Sequence, residues 1–100
     1  MPAVDQLPLL CRGQLLLTLA QAMGAPTARG LLQATLAPFY ASAPERSFDR
    51  DVDYLVGKGL IIVEGRRFGA FAPVEVLMLT PAGQDVVEGT ITVPGVAIQR

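Results

Sequence analysis

Between Ser47 and Ile61 the chain reads SFDRDVDYLVGKGLI, and few structures can accommodate such a stretch. Phe48, Val52, Leu55 and Val56 recur at the offsets that line one face of a helix, while the residues between them are mostly polar. Gly59 supplies the left-handed residue that ends such a helix. Leu60, Ile61, Ile62 and Val63 then follow as a run suited to a buried strand. A helix that hands its chain straight to a strand ties α and β structure to one core.

The flanking segments extend this pattern. Leu15, Leu16, Leu19, Ala20 and Met23 form an apolar helical stripe closed by Gly24 and Pro26. Thr27 is suited to cap a second helix over Ala28 to Ala37, with Leu31, Leu32 and Leu36 inward and Pro38 opposing continuation. Pro38 to Arg46 carries two prolines and reads as a turn, held down by Phe39 and Tyr40. After the third helix, a strand over Leu60 to Glu64 and another over Val74 to Thr80 flank a tip at Gly65 to Gly69. Pro81 and Gly89 bracket a last short helix. The predicted class is mainly α with a small β-wing (α+β), in the order α-α-α-β-β-α, with a domain over 1–89 and an apolar C-terminal tail over 90–100. That tail, TITVPGVAIQR, would be an exposed apolar strand if alone, so it is expected to pair with the sheet or with another subunit.

Composition narrows the chemistry. At 100 residues, 51% hydrophobic and 17% charged, the chain has material for one small core, and with few aromatic residues that core must be aliphatic. With no histidine and one cysteine, neither a zinc site nor a Ser-His or Cys-His pair can be assembled. No cofactor motif is present, so the expectation is a protein that is not an enzyme and carries no metal or cofactor. Cys11 is expected as a small buried hydrophobe. Met1 to Leu10 lacks the positive charge of a secretory leader, and Leu7 to Met23 is broken by Pro8, Arg12, Gly13, Gln14 and Gln21, which argues against a membrane span. A cytoplasmic protein is expected. A net charge of -1 and a pI near 5.2 argue against unselective coating of nucleic acid.

The spacing Ser-x-x-Arg-Asp-x-x-x-Leu-x-x-x-Gly-Leu-Ile over Ser47 to Ile61 resembles the recognition helix and first wing strand of winged helix-turn-helix DNA-binding domains. Leu79-Thr80-Pro81-x-Gly83 is similar to the stretch that follows the wing in such regulators. The resemblance implies a small bacterial or phage transcriptional regulator that binds double-stranded DNA as a homodimer, joined through helix 1 and the tail. On a helical wheel Ser47, Arg50, Tyr54 and Lys58 fall on the outward arc, with Gly57 between them. Arg50 is the candidate base reader, its alternative being a surface ion pair with Asp49 or Asp53. Arg66 and Arg67 at the wing tip are candidates for the backbone or minor groove, or else plain solvated charge. From Glu45 to Arg67 five basic residues face five acids, so this surface sums to neutrality. The rival expectation is a winged-helix module that docks a protein through the tail and the apolar Phe68, Ala70, Phe71, Ala72 and Pro73, and does not bind DNA.

Overall fold

A computed structural model describes residues 7–67 and 69–99; Met1 to Gln6, Phe68 and Arg100 lie outside the described residues, and with them most of the segment read for a leader. The first helix, α1 (Leu7–Gln21), buries Cys11, Gly13, Leu15, Leu16 and Leu19. It ends through Met23 and Gly24, both at positive φ. Met23, expected inward, is 92% exposed, because the left-handed turn carries it off the helical stripe.

Thr27 does not cap the second helix as predicted. Thr27–Ala28 form a short strand, β1, whose residues pair antiparallel with Leu77 and Val76. The helix α2 (Arg29–Leu36) starts instead from Ala28, whose side chain offers no cap. Leu32 and Leu36 are buried, but Leu31 is 65% exposed, so the inward face is narrower than predicted. A 3-10 turn over Ala37–Tyr40 accommodates Pro38. Tyr40 meets Phe48 edge to face with ring centroids 5.7 Å apart, which seats the connection on the core, while Phe39 remains half exposed.

The helix α3 (Ser47–Gly57) buries Phe48, Asp51, Val52 and Leu55, and leaves Val56 exposed. Lys58 caps it, and Gly59 at φ +74 turns the chain away. The Gly59 amide donates to Val56 and the Leu60 amide to Leu55, the paired bonds of a Schellman ending. Leu60 and Ile61 thereby enter the core directly.

Strand β2 (Ile61–Arg66) pairs antiparallel with β3 (Val74–Leu79), from Ile61↔Leu79 to Arg66↔Val74. The sheet has three strands in the order β1-β3-β2, so β3 is central and Leu77 is fully buried. Thr80 then caps α4 (Pro81–Glu88): its hydroxyl accepts from the Gly83 amide at 3.0 Å and donates to the Gly59 carbonyl at 2.7 Å. One side chain thus joins the end of α3 to the start of α4.

The tail forms no strand. It runs back along α1, where the Ala97 amide donates to the Leu9 carbonyl at 3.1 Å and Val96 enters the core beside Val86. Gly13 makes this approach possible, since a side chain there would collide with the Ala97 carbonyl. The result is an α+β domain of four helices and a three-stranded antiparallel sheet, ordered α-β-α-α-β-β-α among the described residues. No described helix is long and apolar enough to cross a membrane.

Candidate nucleic-acid interface

The first turns of α3 carry Ser47 and Arg50. The Ser47 hydroxyl donates to the Pro44 carbonyl at 2.6 Å, fixing the entry to the helix beneath the left-handed Arg46. Arg50 is exposed, and although its amide donates to the Arg46 carbonyl at 3.0 Å, its guanidinium forms no hydrogen bond or ion pair among the described residues. Its alternative reading as an ion pair with Asp49 or Asp53 is not realised: Asp49 is held by Arg29 of α2 at 2.6 Å. Arg29 also reaches Glu75 at 3.1 Å. Burial works against the Arg29 charge, but the Asp49 hydrogen bond and the fields of Asp49, Glu75 and Asp53 outweigh it, and its pKa rises.

Tyr54 and Lys58 lie one and two turns further along. Tyr54 is half-buried. Its hydroxyl donates to the Pro94 carbonyl at 2.7 Å, and the Arg12 guanidinium stacks 4.0 Å above its ring. Gly95, at φ +88, leaves the room that Tyr54 occupies. The tail therefore sits on this part of α3, and Tyr54 anchors it. Lys58 is exposed, with its amine 5.5 Å from the same ring. Arg66 ends β2 and reaches Glu64 at 3.4 Å, whereas Arg67 is exposed and unpaired among the described residues. In the loop beyond, Phe71 is 75% exposed.

Asp51 is one of the five acids between Glu45 and Arg67. The structure buries it on the core-facing side. One carboxylate oxygen accepts from Arg12 Nε at 3.0 Å and the other from the Tyr40 hydroxyl at 2.6 Å. Arg12 also donates to the Gly95 carbonyl at 2.9 Å, so one guanidinium links α1, α3 and the tail. Burial, then the Asp51 bond and charge, push the Tyr40 phenol far above its ordinary value. Nearby, the Cys11 thiol donates to the Phe39 carbonyl at 3.3 Å, and burial and then Asp51 raise its pKa too.

This pairing changes the charge that the segment presents. Of the five acids from Glu45 to Arg67, Asp49 and Asp51 take partners from outside the segment and Glu64 pairs with Arg66. Among the described residues, Arg46, Arg50, Lys58 and Arg67 remain as cations without an ion pair, against Glu45 and Asp53. No three Cys, Asp or Glu side chains among the described residues converge as a metal site would require. Comparison with protein-family models, curated proteins and solved structures returns no match.

Proposed function

We propose that this chain is a small winged-helix protein of the cytoplasm that binds double-stranded DNA and acts as a bacterial or phage transcriptional regulator. The observation that carries this reading is the state of Arg50, a long, exposed bidentate donor on the outward side of α3 that no acid has claimed. Helix α3 would enter the major groove by its N-terminal half, through Ser47 and Arg50, with Lys58, Arg66 and Arg67 on phosphates or in the minor groove. Tyr54 serves this reading chiefly as the anchor of the tail. A homodimer would supply the second half-site; helix 1 and the tail still expose Leu7 and Ile91 for such a contact.

Fluorescence anisotropy of mixed-sequence duplex DNA, titrated with protein from low to physiological salt, tests the proposal. Salt-sensitive binding that Arg50→Ala weakens by about tenfold or more, as loss of a bidentate guanine contact would, is the expected result. Equal affinity in wild type and variant removes Arg50 from the interface. No binding even at low salt favours the second reading, a protein-docking module, for which Phe71, Ile62 and Val74 on the hairpin provide exposed apolar surface.

A further inference from the structure

A groove of about 410 Å3 opens between the start of α1, the 3-10 turn and the first turns of α3. That volume lies in the range of roughly 300–1,000 Å3 typical of small-molecule sites. Its walls are hydrocarbon from Leu7, Pro8, Phe39 and Pro44, and its charged lining is Arg12, Arg50 and Asp51. Both Asp51 oxygens are committed, one to Arg12 and one to Tyr40, and Arg12 is further committed to Gly95. Arg50 is therefore the charged group of the lining with no ion-pair partner among the described residues, and the lining carries one net positive charge.

We propose that this groove binds a small hydrophobic monocarboxylate, its hydrocarbon body against Leu7, Phe39 and Pro44 and its carboxylate paired with the Arg50 guanidinium. A single free fork of N–H donors suits one carboxylate. The apolar walls favour a ligand with a hydrocarbon body over a bare inorganic anion. Because Arg50 is also the proposed DNA contact, the bound acid competes with DNA; that consequence rests on the DNA reading, whereas the binding itself does not.

The test uses 15N-labelled full-length protein titrated with 4-phenylbutyrate and, separately, with its neutral amide. Saturable shifts at Leu7, Phe39, Ser47 and Arg50 are expected, with the amide weaker by about tenfold or more, the fold-change a charge-assisted hydrogen bond confers. Arg50→Gln should abolish the preference for the acid while leaving the rest of the spectrum dispersed. Equal binding of acid and amide, shifts confined to other surfaces, or no saturation at millimolar ligand overturns the proposal. Repeating the titration with duplex DNA separates the two ideas: acid binding to a protein that binds no DNA at any salt supports the groove and overturns the DNA reading.

Discussion

Asp51 shows how one position can hold three segments. Its carboxylate faces Arg12 from α1 and Tyr40 from the 3-10 turn, and the Arg12 guanidinium continues to the tail. The Asp51 side chain is 6% exposed and that of Arg12 19%, so removing the acid strands a guanidinium with little water around it. Asp51→Ala is expected to lower stability by about 3 kcal/mol in urea denaturation. Asp53→Ala, two residues away and exposed, should stay within about 0.5 kcal/mol. A comparable loss in both variants would show that the Arg12 and Tyr40 bonds add nothing. The sequence contained the signal for Asp51, which shares a helical face with Phe48, Val52 and Leu55 at offsets of three, one and four. Its acidic character points toward solvent, and its partners lie 39 and 11 residues away, beyond any local pattern.

At the level of elements, α3, the two long strands and α4 were legible because each carries its own periodicity and its own stop. Two features escaped. β1 is two residues long and exists only because Thr27 and Ala28 meet β3, which local propensity cannot reveal. The tail looked like a strand because Thr, Ile and Val alternate in it, yet Pro94 and Gly95 break that run and its bonds go to α1, α3 and the end of α4. Gly13 is the matching half of this contact. Gly13→Ala would press a methyl group into the Ala97 carbonyl, and either backbone must shift; a loss of about 1–3 kcal/mol is expected, as for other overpacked sites. Hydrogen exchange should show protection lost first at Ala97, whose amide bonds to Leu9. Unchanged exchange there would mean that α1 and the tail are not held together through this approach.

At the scale of the whole molecule, stability is expected to depend on pH through two acids of raised pKa, the buried Cys11 thiol and the half-buried Tyr40 phenol. Tyr40 is raised above its ordinary 10.0 and Cys11 above its ordinary 9.0, so each holds its proton more tightly in the folded chain than in the unfolded one. Their stabilising effect is complete below the unfolded values and declines as pH rises through about 9 to 10 toward the higher folded values. Thermal melts from pH 7 to 11 should show this decline. Tyr40→Phe, less stable at neutral pH through the lost Asp51 bond, should have a flatter curve above pH 10. An identical slope in both proteins would remove Tyr40 from the linkage.

The bond from Arg12 to Gly95 spans 83 positions, and Val96 completes the core beside side chains from α1, α3 and α4. During synthesis, α1 emerges ahead of the tail and must wait for the elements between them before its flank is covered. Closing so long a loop is entropically costly and cannot be rehearsed by a partial chain. Until the tail has been made, Arg12 and the face of α1 at Gly13 lack these contacts, so the domain is committed to its native form only once residues 94–97 are in place.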